Sequence, residues 1–146
     1  MYPQTHIIFG LLFAVLLALT GNYSPLAPFI IFASSVLIDV DHWFIYVKRT
    51  GKLGIKPSYD WFIARRNDLL KQKKRNPKFV VPKVLCIFHT IEFYLILSIL
   101  AFYSQIFYWI LIGISFHYLL DFISDVREKD HGKALSMIYY LIKNKP

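Results

Sequence analysis

The sequence predicts an all-α integral membrane protein: a four-helix bundle of two antiparallel hairpins, both termini in the cytoplasm, with cytoplasmic amphipathic helices beside it. Three observations carry that reading. Hydrophobic residues make up 56% of 146 and aromatics 18%, and the mean hydropathy is +0.45, more apolar than a soluble domain of this size needs. Four apolar segments, at about residues 5–20, 26–47, 84–104 and 106–126, follow one another; the last three match the roughly 17–25 residues that cross a bilayer, and the first is short enough to sit shallow or tilted. Twelve of the seventeen Lys and Arg lie between Lys48 and Lys83, whereas Gly21–Pro25 and Tyr103–Gln105 carry none. The positive-inside rule then places the basic loop and both termini on the cytoplasmic side of the cell membrane.

Each element follows from local chemistry. The first segment lacks the basic start of a cleavable signal and is expected to stay on the mature chain. Gly21-Asn22-Tyr23-Ser24-Pro25 stops the first helix and opens the second. Within the loop 48–83, Ser58 precedes Tyr59-Asp60-Trp61-Phe62, with Leu69 and Leu70 beyond. This pattern suits a capped amphipathic helix lying on the inner membrane surface. Asn76-Pro77 and Pro82 interrupt the chain before the third span, and a Tyr-Ser-Gln linker folds the third against the fourth. Arg127-Glu128-Lys129-Asp130 returns the chain to water, and residues 131–143 alternate as an interfacial helix, with His131 read as solvent-exposed. The whole is a single membrane domain, 1–146. Its one cysteine, Cys86, excludes an internal disulfide and reads as a packing residue among aliphatic neighbours.

The apolar segments hold His6, Asp39, Asp41, His42, His89, Glu92, His117, Asp121 and Asp125, and no Lys or Arg. Ionisable groups at membrane depth cost several kcal/mol each unless paired, and they mark function. Under the four-span topology, those on spans two to four all fall about 5–15 Å from the cytoplasmic ends. Asp39/His42 and His89/Glu92 are three apart and His117/Asp121 four apart, so each span offers one histidine and one carboxylate on one helix face. Bundles build dinuclear carboxylate–histidine sites this way. Asp41 is turned about 160° from Asp39 on an ideal helix; it is a ligand only if Asp39-Val40-Asp41-His42 is distorted, and otherwise it orients one.

Carboxylates accompanied only by histidines need positive charge from elsewhere, and a divalent metal supplies it. Imidazole and carboxylate without thiolate suit Zn, Mn or Fe, and the donors outnumber one tetrahedral ion's need, so two or more ions are expected. Paired metals polarise a phosphoryl oxygen and activate water, with Asp41 or Asp125 as the proton acceptor. A site just below the inner headgroups admits a phospholipid or another amphiphilic phosphoester. Arg65, Arg66, Lys73, Lys74 and Arg75 read as topology determinants and headgroup contacts, one or two of which can hold a substrate phosphate.

Thr5-His6, Asp39-Val40-Asp41-His42, His89-Thr90-Ile91-Glu92 and Ser115-Phe116-His117-Tyr118-Leu119-Leu120-Asp121 are dispersed over almost the whole length. In these motifs and their order the chain resembles the YdjM-like family of membrane-bound metal-dependent hydrolases, related in pattern to zinc-dependent phospholipase C and P1 nuclease. The resemblance implies that His6, Asp39, His42, His89, Glu92, His117 and Asp121 are metal ligands, with Asp41 close by. Ile38 stands where many members have proline before the first aspartate, and the His-Arg-Gly-x-Thr-His stretch of many members is absent.

The same donors also serve a divalent-metal transporter or a metal-binding membrane protein without catalysis. A transporter needs access from both faces, and the outer halves of the spans offer only Ser34, Ser35, Ser98 and Ser115. A third reading is a structural subunit whose acids pair with another chain. The net charge of +8 needs no nucleic-acid partner, because topology already accounts for it.

Overall fold

A computed structural model describes residues 3–128 and 134–143. The described residues form α1 (Pro3–Leu19), α2 (Leu26–Leu37), α3 (Val40–Thr50), α4 (Ile55–Arg75), a 3₁₀ turn (Ile87–His89), α5 (Ile91–Tyr103), α6 (Gln105–Glu128) and α7 (Met137–Lys143), with no β-strand among them. Lys129, Asp130, His131 and the first residues of the expected C-terminal helix lie outside the described residues.

Two helical stretches are long and apolar enough to cross a membrane: Leu26–Thr50, which joins α2 and α3, and Gln105–Arg127 within α6. Helices α1 and α5 are apolar but shorter. The packing order is α1 on α2, α2 on α6, and α6 on α5. Backbone proximity, rather than large side chains, sets the central contacts. A Cβ added at Gly113 would lie 2.1 Å from Ser34 Oγ and 2.3 Å from Ile31 O, and one at Gly10 would lie 2.5 Å from Ser35 Oγ. Only glycine lets α6 and α1 approach α2 so closely. Away from the acids, Ala27, Ile31 and Trp109 form one buried apolar cluster, and Ile38, Leu97 and Ile114 another.

Helix α1 is polar and small inside, large and apolar outside. It buries His6, Gly10 and Ala14, at successive i+4 steps, while Ile8, Leu12, Leu16 and Leu19 on other faces are exposed. In water this arrangement forfeits the hydrophobic effect, whereas in lipid it is the favourable one.

Two breaks depart from uninterrupted spans. Between α2 and α3 the chain tightens: Asp39 N–H bonds Val36 O at 3.4 Å and His42 N–H bonds Asp39 O at 3.0 Å, both 3₁₀-type steps. The third apolar segment becomes α-helical only at Ile91, not at 84. Thr90 is the reason, since its extended backbone and its side chain, which accepts from Phe93 N–H at 3.4 Å, cap α5. The backbone on either side of it is held by partners elsewhere: Ala134 N–H donates to Val84 O, and Ile91 N–H to Leu135 O. Protein groups thus satisfy the non-helical backbone here. Helix α4 begins at Ile55, so Ser58 is a buried residue of its first turns and not its cap.

Candidate metal centre

The α2–α3 break and the Thr90 cap together assemble a cluster of histidines and aspartates. Because the amide of Asp39 turns to Val36 O, the carbonyl of Ser35 near the end of α2 is available to another donor. His117 of α6, fully buried, places Nδ1 2.8 Å from it. A carbonyl only accepts, so Nδ1 carries a proton, and in the neutral ring Nε2 then presents a lone pair. His89, on the 3₁₀ turn, places Nδ1 3.2 Å from Asp41 Oδ2. That carboxylate again assigns the proton to Nδ1 and the lone pair to Nε2.

The two Nε2 atoms face each other, with His89 Nε2 and His117 Nε2 3.1 Å apart, a hydrogen bond when one of them carries a proton. Asp39 Oδ1 lies 3.5 Å from the first and 3.6 Å from the second. Asp121 Oδ2 lies 3.7 and 3.3 Å from the same pair. Two triangles of acceptors therefore share the His89–His117 edge. A tetrahedral ion with ligand bonds of about 2.0–2.2 Å demands ligand separations of about 3.3–3.6 Å, which these sides straddle. The donor chemistry and spacing fit a divalent cation, and Asp39, His89 and His117 form one group that could hold it.

His6, His117 and Asp121, all buried, form a second such group. His6 reaches Asp121 Oδ1 through Nε2 at 3.2 Å and stacks on His117 with ring centroids 4.0 Å apart. Its Nδ1 is buried with no hydrogen-bond partner. The two oxygens of Asp121 thus face different histidines. His42 stands at the rim, with Nδ1 3.5 Å from Asp39 Oδ1 and its ring edge-on to Phe62 of α4.

Six of the seven expected ligands are in or beside the cluster; Glu92 is not. Its Oε1 accepts from Ser136 Oγ at 2.5 Å and from Ile138 N–H at 3.2 Å, and its Oε2 accepts from Met137 N–H at 3.0 Å. Glu92 caps the N-terminus of α7. The shared-face argument for His89 and Glu92 presupposed one continuous helix, and the Thr90 cap separates them. Asp41 is drawn inward and is 5% exposed. Its Oδ2 accepts from Phe88 N–H at 2.7 Å as well as from His89, so Asp41 holds the imidazole at Nδ1 while Asp39 lies 3.5 Å from its Nε2. Tyr118 donates its hydroxyl to Phe88 O, fixing the same turn. Cys86, read as packing, is buried and falls in a third group with Asp41 and His89 whose ligand atoms lie within 4.8 Å.

Two cavities adjoin the cluster. The larger, about 710 Å³, lies between α3, α4 and the cluster, and Asp39, His42, Asp121, Asp125, Arg65 and Arg66 line it among apolar side chains. The smaller, about 490 Å³, is lined by His89, Tyr94, Tyr118, Phe122 and Leu135. Asp121 and Asp125 line both.

Comparison with protein families, with curated proteins and with solved structures finds no match.

Proposed function

We propose that the chain is a membrane-embedded metal-dependent hydrolase that cleaves a phosphoester of a lipid or other amphiphile at the cytoplasmic side. The observation that carries this reading is the meeting of imidazole lone pairs and carboxylate oxygens beside a large, mostly apolar cavity. Two divalent ions, zinc first and Mn or Fe as alternatives, would be held by His6, His117 and Asp121 on one side and by Asp39 and His89, with His42 at the rim, on the other. The inside-out helix α1 supports four spans, and the basic stretch Lys48–Lys83 supports the inward orientation. The YdjM-like resemblance points the same way.

When bound, such ions polarise a phosphoryl oxygen and make water acidic enough to attack phosphorus near neutral pH. Asp125, one helical turn beyond Asp121, lines both cavities and would accept the water's proton. Asp41 is committed to His89 and Phe88 and has a positioning role. The P–O bond to the alcohol breaks as the new P–O bond forms, the proton taken by Asp125 passes to the leaving alkoxide, and the two cavities, both lined by Asp121 and Asp125, would accommodate the separating halves. A metal conduit is disfavoured by the apolar cluster of Ala27, Ile31 and Trp109 at the far ends of the helices.

Elemental analysis of the detergent-purified protein should give close to two metal equivalents, and His117→Ala should abolish metal and turnover together. Hydrolysis by a metal-free His117→Ala protein would overturn the reading.

A further inference from the structure

We infer that Arg65 and Arg66 of α4 are a phosphate-recognition pair that selects for a phosphate group carried on an apolar tail, an inference that rests on the hydrolase reading for the position of the reacting bond. Of the twelve Lys and Arg between Lys48 and Lys83, these two alone among the described residues line the cavity of about 710 Å³ beside the aspartates and histidines. The positive-inside rule is met by the number of basic residues on the loop and asks nothing about where each one points. Arg65 is held in place, its Cζ 5.6 Å from the centre of the Trp61 ring one turn earlier. Trp61 in turn packs edge-on to Phe62 and against Tyr46 of α3. Gln4 of α1 donates to Tyr59, tying the same helix across the mouth of the cluster.

The ligand's chemistry follows from the walls. One wall presents Asp39, His42 and Asp121, the groups assigned to metal, and the same cavity presents two guanidinium groups. A molecule joining cations and arginines needs several anionic oxygens spread in three dimensions. A phosphate has them, while a planar carboxylate has only two. Guanidinium forks bind phosphate oxygens in pairs, which lysine does not reproduce. The remaining wall, including Val36, Val40, Ile63, Leu69 and Val81, is apolar, and the cavity far exceeds the needs of a phosphate alone. An alkyl-bearing phosphomonoester satisfies both parts.

The test measures equilibrium binding of short-chain phosphatidic acid, used as its non-hydrolysable phosphonate analogue, of inorganic phosphate and of diacylglycerol to the full-length protein in neutral detergent micelles, with metal content determined in every sample. Arg65→Gln and Arg66→Gln should each weaken phosphatidic acid binding by about tenfold or more, the range for a charge-assisted contact. Inorganic phosphate should weaken by the same factor, diacylglycerol binding and metal content should not change, and Lys73→Gln, outside the cavity, should stay within twofold of wild type. Arg65→Lys and Arg66→Lys should fall between, and they replace any glutamine variant that loses its metal. Phosphatidic acid binding within twofold of wild type in the double glutamine variant, or a loss matched by Lys73→Gln, would overturn the proposal. The ratio is also read after chelation. A wild-type protein that holds no metal but keeps the arginine-dependent ratio defeats the hydrolase reading alone, whereas bound metal with a ratio of one defeats the arginine pair alone.

Discussion

Removing the Asp41 carboxylate tests the cluster without touching any group assigned to metal. Its Oδ2 accepts two hydrogen bonds, from Phe88 N–H at 2.7 Å and His89 Nδ1–H at 3.2 Å, and the side chain is almost fully buried. In Asp41→Ala both donors lose their acceptor, and a buried donor left unpaired costs about 1–3 kcal/mol, so the fold should lose about 2–6 kcal/mol. Asp41→Asn keeps an oxygen that reaches both donors and removes only the charge, which roughly halves such bonds. The fold of Asp41→Asn should therefore survive while His89 becomes a less basic and less firmly oriented donor. Loss of a carboxylate behind a metal-bound histidine typically weakens binding by about 10–100-fold. Zinc affinity measured by competition against a chelator of known strength should fall in that range, with the number of ions per chain unchanged. An affinity within twofold of wild type would refute the orienting role, and loss of one whole ion would make Asp41 a direct ligand.

Gly113→Ala should destabilise the bundle by several kcal/mol, because its Cβ meets the Ile31 carbonyl on α2, whereas Gly10→Ala meets only the Ser35 hydroxyl and should cost less; thermal denaturation in detergent ranks them, and equal effects would count against close approach of α6 and α2. Glu92→Gln should leave metal content unchanged while raising protease cleavage around Ser136–Lys143, since the carboxylate holds Ser136, Met137 and Ile138; a loss of metal would restore Glu92 to the ligand set. Bound metal should be released as pH falls, because protons compete for the same lone pairs. Dialysis followed by elemental analysis at pH 5 and 8 reads this directly, and equal retention would exclude histidine ligation.

What the sequence makes legible depends on how local the cause is. His117 and Asp121 lie on an unbroken helix, so their i, i+4 spacing translates into a 3.3 Å approach. His89 and Glu92 look equivalent on paper and are not. A threonine between them satisfies the amide of Phe93, ends the helical face at residue 90 and sends Glu92 to α7. That cap was visible as Thr-x-x, but an apolar run of twenty residues outweighs a single polar position in a hydropathy reading. The break before Asp41 carries no glycine or proline to announce it. The proton acceptor for His117 is a backbone carbonyl, which leaves no residue-specific trace. Gly113, one turn before His117, was the local sign that a second backbone approaches there. The concentration of acids and histidines was legible because composition alone exposes it; the pairing within it required tertiary geometry.

Protons are the rival to metal ions as the charge that holds this cluster, and the separations discriminate between them. Two imidazolium groups, His89 donating to Asp39 and His117 to Asp121, would neutralise two aspartates and leave no donor idle. Charge-assisted N–H···O bonds of that kind close to about 2.7–2.9 Å. The four Nε2···O separations run from 3.3 to 3.7 Å. Two protonated rings would also bring like charges together at 3.1 Å between nitrogens, in an interior where His117 has no exposed surface to screen it. Separations of this size lie close to the roughly 3.3–3.6 Å between ligand atoms around a tetrahedral ion. The Nδ1 atoms engaged with Ser35 O and Asp41 leave each Nε2 directed at the shared edge, and the histidines and aspartates along that edge form groups that could hold a metal ion.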